Sequence, residues 1–121
     1  MSTVEVKIWV KTEGTGRNKR HTHVCKPNPV PVNGPDRKLH WKVMSKGWCF
    51  DLLSQHQPLQ ILGRGWRQQF PNPPLFTADG KHAYLGDLNG DVKEFKYKVF
   101  LVHESGARLA FDPKISNRNG A

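Results

Sequence analysis

The sequence predicts an all-β fold, a single antiparallel sandwich of two sheets, and three observations support this prediction. Short segments alternate apolar and polar residues with the period of two that is typical of a half-buried strand. Turn signals rich in glycine, proline, asparagine and aspartate recur about every ten residues. No stretch shows a sustained helical period. About eight strands of this length favour an immunoglobulin-like arrangement, with a partly open barrel as the alternative.

The clearest strand is Phe95–Val102, around which we expect the rest of the chain to pack. Its lysines fall on one face, and its other face carries Phe95, Tyr97, Val99 and Leu101. The segment after it, His103–Gly106, has the composition of a turn, and Ala107–Phe111 then has the pattern of a returning strand. The C-terminal third is therefore predicted to be a β-hairpin.

Two earlier strands are predicted by the same alternation, Thr3–Val10 and Arg37–Val43. In the first, Trp9 shares the polar face with charged residues. In the second, Trp41 lies at the centre of the apolar face, and a tryptophan in that position usually supplies much of the buried area of a small sandwich. We therefore expect Trp41 in the core.

The remaining segments carry weaker signals. His21–Val32 contains three prolines, which lack backbone donors and favour a sheet edge. The other assignments are short strands at Trp48–Leu53 and Gln57–Leu62, a strand or covering loop at Trp66–Phe70, irregular structure at Leu75–Tyr84, and a turn at Asp87–Asp91.

The composition indicates one domain, residues 1–121, with a mobile basic loop at 11–22. No apolar run approaches the roughly 20 residues of a membrane helix. The N-terminal segment lacks the features of an export signal, so the expected location is the cytoplasm. In that reducing compartment we expect Cys25 and Cys49 to be free thiols, although two cysteines can also pair.

The formal net charge is +9, and the excess is concentrated between Arg17 and Lys46. This segment contains eight lysines and arginines, and its one acidic residue is Asp36. Such a field attracts polyanions, although it is also typical of a solvated surface that keeps a small domain soluble. Single-strand nucleic-acid binding adds aromatic rings on which bases stack. The residues proposed for such a site are Arg17, Lys19, Arg20, Arg37, Lys38, Lys42, Lys46, Arg64, Arg67, Trp9, Trp48 and Trp66.

A metal site is a further hypothesis, because His21, His23 and Cys25 share one face of a strand and have ligand types that suit Zn²⁺ or copper. The alternative is two exposed histidines beside an ordinary buried thiol. Neighbours on one strand face stand almost 7 Å apart, a wide spacing for ligands of one ion. Asp87–Asp91 resembles part of a calcium loop but lacks the spacing of an EF-hand, so it is interpreted as a turn.

The sequence contains no nucleophile elbow, phosphate loop, HExxH motif or dinucleotide fingerprint, so we predict neither an enzyme nor a bound cofactor. The leading hypothesis is a non-enzymatic binding or assembly module. Its partner is another protein, a second copy of the chain or an anionic surface. The first alternative is a nucleic-acid-binding domain, and the second is a zinc- or copper-binding protein.

The C-terminal segment Phe111–Asn117 contains the motif Asp-Pro-x-Ile-x-Asn. This end of the chain resembles small bacterial β-sandwich proteins of uncharacterised function, some of which are labelled as a DP-EP family. The resemblance covers about the last quarter of the chain and implies a single immunoglobulin-like sandwich with no catalytic residues. The residues themselves indicate a structural motif in which Pro113 ends the last strand.

Overall fold

The computed structural model describes residues 3–53 and 57–118, so the predicted domain bounds at 1 and 121 lie outside the described residues. Most of these residues form strands that assemble into two sheets. The elements are β1 (Thr3–Glu13), β2 (Arg20–Lys26), β3 (Val30–Val32), β4 (Arg37–Val43), β5 (Trp48–Phe50), β6 (Leu59–Leu62), α1 (Trp66–Gln69), β7 (Leu75–Phe76), β8 (His82–Asp87), β9 (Lys93–His103), β10 (Arg108–Phe111) and β11 (Lys114–Asn117).

Sheet A has the strand order β2-β1-β4-β8-β7. The pair β1–β4 is parallel, and the other pairs are antiparallel. The chain leaves sheet A after β2, forms β3 in the second sheet, and re-enters sheet A beside β1 in the same direction. This crossover explains why the prediction of a wholly antiparallel fold was wrong for that pair.

Sheet B is built on β9, which is long enough to pair with two strands on each side. On one side it pairs with β10 and β11, and on the other with β5 and β6. The short strand β3 extends the sheet beyond β11 as a second parallel pair. Phe95–Val102 therefore lies at the centre of sheet B, as its alternation predicts.

The core fills the space between the sheets and is rich in aromatic rings. The largest fully buried side chains are Trp41, Tyr97, Phe50, Phe70 and Phe95. Trp41 comes from the middle of sheet A and Tyr97 from the middle of sheet B, so the prediction of Trp41 as a core residue is confirmed. The protein is an all-β two-sheet sandwich.

A buried polar cluster closes one end of this core. Asp87 Oδ1 accepts hydrogen bonds from the Asn117 side-chain amide and from the Asn89 backbone N–H, both over 2.9 Å. Asn89 adopts a positive φ of 52° and donates its side-chain amide to the carbonyls of Val32 and Gly34. The segment predicted as a turn, Asp87–Asp91, consists of the last residue of β8 and the start of the connection to β9, with Asn89 as its left-handed residue. Its polar side chains join β8 to β3 and β11.

Several local predictions need correction. Leu75–Tyr84 is not irregular, because it contains β7 and the start of β8. Trp66–Phe70 begins as one helical turn, neither a strand nor a loop. The basic loop is shorter than 11–22, since Lys11–Glu13 and Arg20–Thr22 pair as strands. Pro113 does not end the last strand, because β11 follows it.

The proline-containing segment His21–Val32 supplies strands at the edges of both sheets. β2 and β3 are outer strands, in agreement with the edge predicted for His21–Val32.

Cys25 and Cys49 are free thiols. Within residues 3–53 and 57–118, no helix has the length and apolar character needed to cross a membrane.

Candidate polyanion interface on sheet A

The candidate site is the solvent side of sheet A, which we call the outer face. Alternation along β1 and β4 turns Val6, Ile8 and Trp41 into the core, so the intervening side chains point to solvent. Strand register places the polar residues of four strands side by side on this face. They are Lys7, Trp9 and Lys11 on β1, Lys26 on β2, Lys38, His40 and Lys42 on β4, and His82 and Tyr84 on β8.

A row of aromatic rings runs across β4 and β8. The His40 ring is stacked on Tyr84, with centroids 4.4 Å apart and planes 12° apart. On its other side, His40 Nε2 lies 2.9 Å from Nδ1 of His82, a hydrogen bond in which one ring donates and the other accepts. Lys38 Nζ lies 4.9 Å from the Tyr84 ring centroid. The three residues of the row are half-buried.

Trp9 forms a second aromatic position on the outer face. Its half-buried ring lines a shallow depression of about 330 Å³, together with Val24 and the side chains of Lys11 and Lys26. Strand geometry places Trp9 roughly 13 Å along β1 from Glu5, the residue in register with His40 and Tyr84. An extended ligand is therefore needed to reach both aromatic positions.

Charge on the outer face is strongly positive. Two carboxylates accompany the cations, Glu5 and Glu13, and Glu5 lies 3.8 Å from the Lys7 amine. The cations are Lys7, Lys11, Arg20, Lys26, Lys38 and Lys42. Because they come from three adjacent strands, they form a patch around Trp9 and beside the His40–Tyr84 row, and not one line.

Burial lowers the pKa of His40, and the neighbouring charges of His82, Lys42 and Lys38 lower it further. Glu5 opposes this shift. The lowered pKa favours the neutral ring, which suits its hydrogen bond with His82. A bound phosphate near His40 would favour the protonated ring.

The structure brings together only part of the residue set predicted from the sequence. Trp9, Lys38 and Lys42 share the outer face, with Arg20 at its margin. Arg17 and Lys19 lie in the turn between β1 and β2. Lys19, Arg20 and His21 line a second cleft, of about 650 Å³, with Arg108 of β10. This cleft continues the positive surface around the edge of the sandwich.

The other members of the predicted set lie elsewhere. Trp48 is 3% exposed, so its ring is not available for stacking. Arg37 points along the core side of β4 and donates to the Asn33 carbonyl over 2.7 Å. Lys46 lies in the turn between β4 and β5. The remaining three, Arg64, Trp66 and Arg67, lie at α1, next to sheet B.

The side chains proposed as metal ligands each have a different neighbour. His21 contacts Trp48 edge to face, with ring centroids 5.1 Å apart, and His23 stacks on Phe111 at 4.1 Å. Cys25 Sγ lies 3.6 Å from the Tyr97 hydroxyl, and burial raises the pKa of its thiol. Among the described residues, no group of three histidines, cysteines or carboxylates is arranged to hold one metal ion.

Sequence reasoning missed six residues of the outer face as site residues: Lys7, Lys11, Lys26, His40, His82 and Tyr84. For those on β1 and β4, the signal was present, because they alternate with core residues at period two. Tyr84 could not be found in this way, since its segment was interpreted as irregular. No protein-family model matches the chain, and no curated protein shows significant sequence similarity to it.

Proposed function

We propose that this protein is a non-enzymatic module that binds single-stranded nucleic acid on the outer face of sheet A. The observation that carries the proposal is the arrangement of cations from three adjacent strands around Trp9 and beside the His40–Tyr84 row. Cations neutralise phosphates, and half-exposed rings accept stacked bases. A sheet face that combines both is suited to a strand whose bases are unpaired.

The aromatic positions favour a single strand over a duplex. Bases in a duplex are stacked on one another, so their faces are not free for Trp9 or Tyr84. Trp9 lies roughly 13 Å from the His40–Tyr84 row along the strand direction, and about 10 Å, or two strand spacings, from Tyr84 across the sheet. A ligand that reaches both positions must therefore be extended. Lys7 and Lys42 lie between the two positions and can contact the connecting phosphates.

We also propose an immunoglobulin-like strand arrangement, a cytoplasmic location and kinship with the DP-EP-like proteins. The two-sheet sandwich supports the arrangement, and the Asp112–Pro113 motif forms the connection from β10 to β11. Comparison of this strand order with that of an experimentally solved DP-EP protein tests the kinship. A different order in that protein would exclude it.

The functional test is a titration of fluorescein-labelled oligothymidylate with the protein, followed by anisotropy at several salt concentrations. The double variant Lys38→Ala/Lys42→Ala removes two cations from the outer face. We expect its affinity to fall about tenfold. The salt slope, which is the slope of log affinity against log salt concentration, should become shallower by the amount that corresponds to roughly two phosphate contacts. Lys96→Ala/Lys98→Ala is the matched control, since it removes the same charge from β9 on the opposite side of the sandwich.

Two outcomes would count against the proposal. One is an equal loss of affinity in both double variants, which would indicate attraction by net charge alone. The other is stronger binding to a duplex of the same length than to the single strand. The variant Trp9→Ala separates stacking from charge, because it should weaken single-strand binding while leaving the salt slope unchanged.

A further inference from the structure

The outer edge of β6 pairs with no described strand, because β9 is the one strand to which β6 is hydrogen-bonded in this part of the chain. Pro58 O accepts the Phe100 N–H over 2.8 Å, so hydrogen-bonded pairs between β6 and β9 fall at positions 58, 60 and 62. In an antiparallel ladder the intervening residues turn their N–H and C=O groups away from the partner strand. Leu59 and Ile61 therefore present their backbone groups at this edge.

Two other outer strands of sheet B, β3 and β5, have features that block strand addition. Pro31 lies within β3 and provides no backbone donor. At β5, the Phe50 N–H donates to the Gly80 carbonyl over 2.8 Å, which covers that strand with the turn before β8. By contrast, β6 contains neither proline nor a charged residue, the two features that commonly block strand addition.

The β6 edge borders a cleft of about 540 Å³, which we call the β6 cleft. On the opposite side are α1 and the segment 70–74. Its lining is mainly apolar and includes Leu59, Ile61, Trp66, Phe70, Pro73 and Leu85. Trp66 is half-buried, so part of its ring remains accessible from the cleft. An added strand at β6 would thus find apolar surface for every second side chain.

The charge around the β6 cleft indicates the chemistry of its occupant. Arg67 is exposed at the lining, with its guanidinium 5.2 Å from the Trp66 ring centroid. Lys96 and Lys98 lie across from Leu62 and Gln60 on the same sheet surface. No carboxylate is present among the described residues that line the cleft. A segment with acidic side chains on its solvent face complements these cations.

We propose that the β6 edge binds an extended segment of a partner protein that alternates apolar and acidic residues. The segment adds as a strand to β6 through the backbone groups of Leu59 and Ile61. Its apolar side chains enter the β6 cleft, and its carboxylates face Arg67, Lys96 and Lys98. This site is on the other sheet from the outer face and is independent of nucleic-acid binding.

The test uses ¹⁵N-labelled protein and an N-acetylated peptide that alternates valine and glutamate. We expect saturable shifts of the Leu59 and Ile61 amide resonances at millimolar peptide. The same peptide with N-methyl groups on alternate residues cannot form the ladder and should produce no such shifts. Arg67→Glu should weaken binding about tenfold, whereas Arg17→Glu, a matched charge change in the turn between β1 and β2, should not.

Three results would overturn the proposal. The first is the absence of shifts at Leu59 and Ile61 with the unmethylated peptide. The second is equal binding of the methylated peptide, which would show that the cleft takes a ligand without backbone pairing. The third is self-association in sedimentation that is abolished by Leu62→Glu, which would show that a second copy of the chain occupies the edge.

Discussion

Tyr97 accepts the indole N–H of Trp41 through its hydroxyl oxygen over 3.0 Å, a hydrogen bond that joins the centres of the two sheets. The rings also meet edge to face, with centroids 5.4 Å apart. Both side chains are fully buried. Since the residues come from β4 and β9, this contact fixes the relative position of the strands that carry most of the core.

The variant Tyr97→Phe should destabilise the protein by about 1–3 kcal/mol, because it leaves the buried Trp41 N–H without its acceptor. The measurement is the free energy of unfolding from urea denaturation. Tyr84→Phe is the control: its hydroxyl lies on the outer face, and its effect should stay within about 0.5 kcal/mol. Equal effects of the two changes would contradict the role of this hydrogen bond.

The carboxyl of Asp87 should make stability depend on pH in an unusual direction. Burial raises its pKa to about 6, although Asn117 and Asn89 donate to it. Because the folded pKa lies above the unfolded one, the neutral acid favours folding below about pH 4, and this contribution is lost as the pH rises through 6. Asp87 Oδ2 and Asn117 Oδ1 both lack a hydrogen-bond partner among the described residues, so ionisation leaves a buried charge poorly compensated.

We therefore expect Asp87→Asn to stabilise the protein at pH 7.5, by roughly 1–3 kcal/mol, and to have little effect near pH 4. Both proteins contain the same other carboxyl groups. The difference between their free energies of unfolding at each pH therefore reports on residue 87. The measurement is the urea midpoint at each pH. A variant that is less stable than the original protein at pH 7.5 would show that the carboxylate is needed in ionised form.

Nucleic-acid affinity should rise as the pH falls from 7.5 to 5.5. The pKa of His40 lies below its ordinary value, and a bound phosphate favours the protonated ring, which adds a cation beside Lys38 and Lys42. His40→Gln should make the increase smaller, while His103→Gln, at the far end of β9, should leave it unchanged. Anisotropy titrations at constant ionic strength measure this difference, and parallel pH profiles for the two variants would exclude His40 as the titrating group.

The two cysteines should differ in reactivity. Burial raises the pKa of the Cys25 thiol, whereas Cys49 is half-exposed on β5. Iodoacetamide should alkylate Cys49 in the native protein and Cys25 only after unfolding, because the thiolate is the reactive form. Peptide mass spectrometry resolves the two sites. Rapid modification of Cys25 in native protein would show that β2 opens easily at the sheet edge.

Local alternation was enough to predict β4 and β9, because their apolar residues fall at strict period two. It failed at β8, where Asp87 occupies a core position and Tyr84 an outer one, so the apolar pattern is inverted at both. The sequence also did not distinguish Trp9 from Trp48. Both adjoin lysines, but burial of Trp48 depends on contacts with His21 and His103, which are distant in the chain.

The candidate site was only partly predictable for the same reason. Lys38 and Lys42 were identified from charge, and Trp9 from its polar strand face. The outer face as a unit depends on the register of β1 with β2 and β4, which brings Lys7 beside both Lys26 and Lys42. Non-local pairing of this kind is not encoded in any single segment.

A titration of ¹⁵N-labelled protein with unlabelled oligothymidylate tests the central claim most directly. The account predicts saturable shifts of the Trp9 indole N–H and of the amides of Lys7, Lys38, His40 and Tyr84. The resonances of Lys96, Lys98 and Ala110 on sheet B should remain unchanged. Shifts concentrated on sheet B, or no shifts at low salt, would contradict the assignment of the outer face as a nucleic-acid interface.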